Sequence, residues 1–587
     1  MLRKPYLDVA DVLEALDDGD DSDAGDLPSE NDSDSDDEEY VHRLGDDDGG
    51  NSESDWDDVD DLPLQQLEEA AQPSKKRKRN ANSFTWRKKD FDAPDTTFTG
   101  DPLEDPENIG TPLEYFQKFI NTSMLQHLAE HTNIYALQKT GKLLVVLEKE
   151  LEQVIGMFLR MGLVKMPCSR MYWETDTRYA PVADIMSRNR FLSIVAMLHF
   201  ENNQTVTNEQ KQDKLWKIRP WLSKFRENCL KLVPEEYNSI DEQMVPFKGK
   251  FSGIKQYMQN KPHKWGFKIW CRCGISGQLY DFDVYQGSSR ESAEQSIGVS
   301  GDVVVKLCST LPKGKNYKAV ADNFFTSMAL ILKLKERGIF FLGTVRTNRM
   351  GKCPLLDEKE LKKHGRGSYD HRVETTHQIC VVRWYDNRAV TLTSSFLGPE
   401  PLDSVRRWDK SEKEHVAVQR PYIVKSYNNL MGGVDFLDSL ISKYRYPMKS
   451  RRWYLYLFWH TITTALIQAW LFYRRHCRAL DIPKKERLNH RKFQAAVATA
   501  LIMVNVPVRQ RGRPSGEVVK VYATREIRPR PPADVRYDGV GHLPIKLAKR
   551  GRCAMCKGGY TDTACEKCDV RLCFNEKRNC YREYHIA

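Results

Sequence analysis

Four aspartates and a run of cysteines and histidines are the residues whose types and spacing suit chemistry. Asp241 lies within Ser239-Ile-Asp-Glu-Gln-Met244, and Asp322 closes Tyr317-Lys-Ala-Val-Ala-Asp322 just before a stretch of helical spacing. Asp435 and Asp438 are three residues apart, so a helix places both on one face. Gly432-Gly433 precedes them and lets another backbone approach closely. Carboxylates from strand ends and from a later helix can converge on two Mg²⁺ ions about 4 Å apart. Such a pair activates the attacking oxygen and stabilises the leaving one in phosphoryl transfer. Spacing alone does not single out these four among 81 acidic residues, most of which are solvated or sit in turns.

The second set closes the chain: Cys553-x2-Cys556-x8-Cys565-x2-Cys568-x4-Cys573-x6-Cys580-x4-His585. Two CxxC pairs with further Cys and His form a zinc pattern. Seven ligands exceed one tetrahedral site and fall one short of two. His542 is the candidate eighth and Glu576 a poorer one; the alternative is a single zinc with spare thiols. Closed Cys/His sites are structural rather than catalytic. The remaining cysteines (Cys168, Cys229, Cys271, Cys273, Cys308, Cys353, Cys380, Cys477) are scattered and fit a reducing compartment.

The elements that position these residues follow from periodicity. Helical spacing covers Leu113 to Glu130, Lys142 to Leu163 (with Leu143, Leu144, Leu147 and Leu151 on its stripe), 183–200 and 214–232, a helical block with order beginning near Pro112. The period then changes. Ser239–Phe247 reads as a strand, and Lys264–Gly287 as two strands joined at Gly274-Ile-Ser-Gly277. Tyr317–Asp322 is a fourth strand, Phe324–Arg337 a helix ending at Gly338, and Ile339–Val345 a fifth strand. This is an α/β arrangement. Residues 347–420 contain one clear hairpin, Ile379–Tyr385 with Ala389–Ser394. Helical character returns over Val424–Tyr444 and Arg451–Cys477. Within the latter, Trp453–Tyr473 carries no formal charge, long enough for a bilayer. Arginine pairs at both ends and interior His460, Gln468 and threonines favour the centre of a soluble core.

Charge is strongly segregated. Residues 1–72 hold 27 acidic and three basic residues, a net of −24, which leaves +33 on the rest. The tail is expected to be disordered, and an acidic tail on a basic body points to a polyanionic partner. Ser33, Ser35, Ser52 and Ser54 precede acidic residues and suit an acid-directed kinase; a purely solvating tail is the equal alternative. Lys75, Lys76, Arg77, Lys78 and Arg79 form a nuclear-import candidate. No secretory signal follows the start. Arg511 and Arg513 lie in an Arg-Gly-Arg-Pro segment that can enter an A·T-rich minor groove or serve as a basic linker. Lys443, Arg445, Lys449, Arg451 and Arg452 cluster beyond the paired acids, where a DNA backbone would need neutralising. His199, His263, His415 and His460 read as ordinary surface or core residues.

Ser239-Ile-Asp-Glu-Gln-Met, Ala321-Asp-Asn-Phe-Phe-Thr-Ser327, Gly343-Thr-Val-Arg346 and Met431-Gly-Gly-Val-Asp-Phe-Leu-Asp438, in this order, closely resemble the piggyBac family of DNA transposases. The resemblance runs from about Leu113 to the C-terminus and includes Lys261-Pro262, Gly266-Phe-Lys268 and Arg452-Trp453. It implies a ribonuclease H-like catalytic core with an inserted β-containing subdomain, flanked by a helical DNA-binding and dimerisation domain and a terminal cysteine-rich zinc domain. The boundaries expected are 1–95 for the disordered tail, 96–235 and 445–505 for the helical domain, 236–346 and 421–444 for the catalytic domain, 347–420 for the insertion, 506–541 for a basic linker and 542–587 for the zinc module. By the resemblance Asp241, Asp322 and Asp435 form the catalytic triad on Mg²⁺ (Mn²⁺ able to substitute), with Asp438 nearby. It also implies a nuclear protein, homodimeric on double-stranded DNA, that excises transposon ends through hairpins and inserts at TTAA. Lys264, Lys268, Lys449, Arg451, Arg452, Arg511 and Arg513 are the expected DNA contacts. The alternative is a host-adopted, non-catalytic DNA or chromatin-binding protein; the four retained aspartates favour the enzyme.

Overall fold

The computed structural model describes residues 84–249, 253–259, 263–287, 297–409, 412–503, 531–556 and 558–586. The tail serines, the import cluster, Arg511 and Arg513 lie outside the described residues. Strand β1 (Trp86–Arg87) precedes helices α1 (Pro112–Gln117), α2 (Thr122–Thr140), α3 (Glu148–Leu163), α4 (Arg188–Met197) and α5 (Arg219–Leu230). Then come β2 (Tyr237–Pro246), β3 (Lys255–Tyr257), β4 (Trp265–Gly274), β5 (Leu279–Val284), α6 (Val299–Cys308), β6 (Lys318–Ala321), α7 (Met328–Lys335) and β7 (Phe340–Thr344). Strands β8 (Tyr369–Glu374), β9 (Ile379–Tyr385), β10 (Ala389–Ser394), β11 (Asp403–Asp409) and β12 (Glu414–Arg420) lead into α8 (Tyr422–Leu430), α9 (Gly433–Lys443), α10 (Trp453–Ala479) and α11 (His490–Ile502). The last part holds α12 (Ala533–Arg536), β13 (Pro544–Arg552), β14 (Tyr560–Cys565), β15 (Val570–Arg571) and α13 (Cys580–His585).

A sheet of ten strands runs β1-β8-β9-β10-β7-β6-β2-β4-β3, with β5 sharing the outer edge of β4. Strands β2, β6 and β7 are parallel; every other pairing is antiparallel. Segment 347–420, expected as an insertion, adds β8, β9 and β10 to this same sheet through β7, and sets β11 and β12 apart as a separate hairpin.

The two helical blocks pack as one. Gln494 Nε2 in α11 donates to Leu159 O in α3 (2.9 Å), Tyr115 Oη in α1 meets His476 Nδ1 in α10 (2.8 Å), and Phe158 stacks on Trp459 at 4.3 Å. Helix α10 is buried all round, in a hydrophobic core it shares with α1–α5, α9, α11 and one face of β2, β4 and β5. No helix among the described residues is long and apolar enough to cross a membrane.

Several boundaries differ from the periodicity. Residues 84–95 were expected in the disordered tail and order near Pro112, yet β1 pairs with β8, and Lys318 Nζ donates to Thr96 O at 2.7 Å. The stripe begins at Leu151: Leu143 and Leu147 are exposed. Gly141 ends α2 in a left-handed turn, and the Asn133 amide bonds both N–H and C=O of Val146 (2.7 and 2.8 Å), holding that stretch out of the helix. Leu113–Glu130 splits because Asn121 caps a new helix by accepting from Met124 N at 3.1 Å. Val424–Tyr444 splits at Met431-Gly432.

Three histidines are buried in neutral form. Burial pushes His199 down to about 4 and His460 and His490 down to about 3. The unfolded chain binds these protons near pH 6.5 and the folded chain does not, so stability present above pH 6.5 is lost as pH falls toward 4. Each should cost about 1.4 kcal/mol per pH unit in that window. Urea unfolding at pH 7.5 and 5.5 is expected to show this loss, and His490→Gln to reduce it.

Candidate active site and metal clusters

Backbone register brings the first two acids together. Strands β2 and β6 pair in parallel with Ile240 opposite Ala321, so Asp241 and Asp322 occupy the next positions on neighbouring strands. There β6 ends while β2 continues along β4. Asp241 Oδ1 accepts from Glu242 N at 2.8 Å, and Asp322 Oδ1 from Phe324 N at 2.8 Å. Helix α9 brings the third acid. Ser239 Oγ donates to Met431 O just before the helix, and a Cβ on Gly433 would lie 2.4 Å from Gly274 O, so only glycine lets the helix start close over β2 and β4. Asp435 is thereby held in the first turn of α9, and Asp438 one turn on.

Electrostatics report the convergence. Burial, then the charges of Glu242 and Asp322, push the Asp241 carboxyl up to about 8; burial and Glu242 also raise Asp322. Tyr427 of α8 is pushed up to about 12 by burial and by Asp322, Asp241 and Asp435 together, while a 3.4 Å hydroxyl contact with Thr344 opposes the rise. One phenol thus feels all three acids. Glu242 and Tyr427 were not singled out in the sequence, and no spacing signal marks them.

Asp438 has different surroundings. It accepts from Gln243 Nε2, and His460 Nε2 lies 2.8 Å from Gln243 Oε1. A glutamine oxygen only accepts, so neutral His460 donates from Nε2, which leaves the amide nitrogen to face the carboxylate. Arg445 adds a positive charge beside Asp438. His460, expected to be an ordinary core residue, orients this chain of bonds from within α10. Gln243→Leu would strand the buried His460 N–H and remove a donor from Asp438. It is expected to cost about 2–3 kcal/mol, measured by chemical denaturation.

The acids form an all-oxygen, like-charged donor set, and the raised Asp241 and Asp322 fit a hard divalent cation that would relieve the crowding. Among the described residues, only two groups bring their ligand atoms within 4.8 Å of one another, and both are Cys/His: Cys553, Cys556, Cys573 and Cys580, and His542, Cys565, Cys568 and His585. The acids are gathered more loosely. The two ligand sets interleave along the chain, and His542, not Glu576, completes the second. Cys556 Sγ and Cys573 Sγ are 3.8 Å apart, the edge of a tetrahedron with metal–sulfur bonds of about 2.3 Å and far from a disulfide. A Cβ on Gly559 would lie 2.4 Å from Cys573 Sγ and 2.6 Å from Cys556 Sγ, so glycine is required there.

Both histidines are oriented through their second nitrogen. His542 turns Nδ1 to Cys565 and Cys568 (3.4 and 3.5 Å) and Nε2 to Asp538 Oδ1 (3.1 Å); His585 turns Nε2 to Cys568 (3.4 Å) and Nδ1 to Tyr581 O (2.7 Å). This is the outer-shell pattern of metal-binding histidines. Asp538, four residues before His542, was missed; the carboxylate-x3-His spacing was the available signal. Asp538→Asn is expected to speed loss of one of two metal ions to a chelator by about 10–100-fold and to spare the all-cysteine site, as followed by native mass spectrometry.

Of the expected DNA contacts in the described residues, Lys264, Lys449 and Arg451 are exposed. Lys268 lies over Trp270 (4.0 Å) and Phe324 (4.7 Å). Arg452 is committed to the fold: it donates to Leu198 O (2.8 Å) and Val195 O (2.7 Å), fastening α4 to α10, because helix α4 ends there with carbonyls to satisfy.

A transposase family model, described as "Transposase IS4", matches residues 111–470, and the chain belongs to this piggyBac-type transposase family. Among its relatives, human PiggyBac transposable element-derived protein 3 is 32% identical over 92% of this chain and 88% of its own length. Human PiggyBac transposable element-derived protein 2 is 32% identical over 90% and 85%. The fold resembles a chain of the piggyBac transposase synaptic complex with hairpin DNA, with a TM-score of 0.57 and 22% identity over 67% of this chain and 80% of that one.

Proposed function

We propose that this protein is a cut-and-paste DNA transposase that excises transposon ends by strand cleavage and hairpin formation and inserts them at TTAA. The observation that carries the reading is the register that sets Asp241 beside Asp322 where β6 ends, with the glycine start of α9 bringing Asp435 over the same strands. The order β5-β4-β2-β6-β7, with the last three parallel, supports a ribonuclease H-like core. Asp241, Asp322 and Asp435 would hold two Mg²⁺ or Mn²⁺ ions, which when bound supply activation of the attacking oxygen and stabilisation of the leaving one. Register and the α9 approach fix where the carboxylates stand; Gln243 donates to Asp438 and Arg445 sets a positive charge beside it.

The Cys/His clusters fit two structural Zn²⁺ ions, and by the family resemblance this module would bind the transposon-end DNA. Exposed Lys264, Lys449 and Arg451 suit backbone phosphates. Joining two ends requires two active sites, hence a homodimer on DNA, and the basic run Lys75–Arg79 supports action in the nucleus. The retained aspartates weigh against the non-catalytic reading.

Full-length protein with DNA bearing the element's ends and Mg²⁺ is expected to cut at those ends. Asp322→Asn should lower the rate by at least about a hundredfold while DNA affinity stays within about twofold. Near-normal cutting by Asp322→Asn would remove the assignment. Tight binding without cutting by the unaltered protein would leave the host-adopted reading.

A further inference from the structure

The hairpin β11–β12 is rooted firmly and projects an unusual outer face. Its inward residues Val405, Val416 and Val418 pack in the core that α8 shares with β8–β10. Two of its carboxylates are spent inward: Asp403 on Arg420 (2.8 Å) and Lys425 (3.2 Å), and Asp409 on Arg366 (2.9 Å), which also holds Asp386, while Glu414, opposite Asp409, is exposed. Arg407 reaches the same Asp386 at 3.2 Å. The alternate residues face out: Ser404, Arg406 and Trp408 on β11, opposite Gln419, Ala417 and His415 on β12. That face carries a cation and no carboxylate. Trp408 is 53% exposed and pairs with His415 at 5.2 Å and 73°.

The position of the hairpin bears on the acids. Asp322 stands one residue past the Ala321–Gly343 pair, level with Thr344, which is opposite Leu392 of β10. Strand β10 continues three residues back from Leu392 to Ala389, about 10 Å beyond the acids at about 3.3 Å per residue, and the turn holding Asp386 crosses there to Tyr385. The Arg366 bridge ties Asp409, next to Trp408, to that same overhanging turn. The β9–β10 turn and the hairpin therefore form a wall that rises past the level of the carboxylates. A lone exposed tryptophan is ordinary. One fixed by ion pairs on such a wall, beside an outward arginine, suits base stacking with a phosphate contact.

We propose that the outer face of this hairpin is a nucleobase-stacking site. Trp408, with His415 beside it, receives an unpaired base of DNA held at the carboxylates, and Arg406 takes the adjoining phosphate. Strand cleavage and hairpin ends expose such bases, so the inference deepens the transposase reading and rests on it.

The test uses full-length protein and two labelled DNAs of one sequence, a fully paired duplex and the same duplex with a short single-stranded end, followed by fluorescence anisotropy. The unaltered protein is expected to prefer the partly single-stranded DNA by about tenfold. Trp408→Ala should abolish that preference while keeping its duplex affinity and melting temperature, and Trp408→Phe should retain most of it. Preference surviving in Trp408→Ala would overturn the inference. Equal binding of both DNAs by the unaltered protein would also overturn it, while leaving the transposase reading intact. Absence of all DNA binding would bring down the transposase reading itself.

Discussion

Two carboxylates at adjoining positions of a parallel strand pair repel one another, and burial makes that repulsion worse. The body of this protein holds them there nonetheless. The pairing of β2 with β6 fixes Asp241 beside Asp322, and the antiparallel pairing of β2 with β4 keeps β2 in the sheet where β6 leaves it. The chain supplies Asp438 with a donor and a nearby cation, but surrounds Asp241 with Glu242 and Asp322. A site that is compensated on one side and crowded on the other stores its electrostatic cost where a divalent ion would relieve it.

The helical layer makes this arrangement rigid. Helix α10 is apolar all round because it is enclosed by the helices before the sheet, by α11 and by the sheet itself. Three of its interior polar groups bond to neighbouring elements: Thr461 to Trp221, Gln468 to Gln278 and Leu279, His460 to Gln243. A shift of α10 would break the last of these, which links the core to Asp438.

Much of this was legible in the sequence wherever one local signal dominated. The period-two runs around Asp241 and Asp322 gave strands at nearly the observed bounds, and the hairpin at 379–394 matched residue for residue. The two Cys/His clusters were readable because CxxC spacing is what metal coordination imposes, and the place of His542 followed from counting candidate ligands. Side chains that overrule periodicity were not readable. Asn133, Asn121 and Arg452 each bond backbone groups that a regular helix would have paired otherwise. Glu242, Tyr427 and Gln243 escaped notice because their roles arise from elements far apart in the chain.

Strand β1 has only two residues, yet it covers one end of β8, whose other edge is paired with β9. A chain trimmed at residue 95, the boundary that composition suggests, would lose this cover. It would expose unpaired N–H and C=O groups along β8, a template on which a strand from another molecule could add. The short segment that enters the body from the acidic tail therefore also guards against edge-to-edge aggregation, and shortened versions of the protein should begin before Thr85.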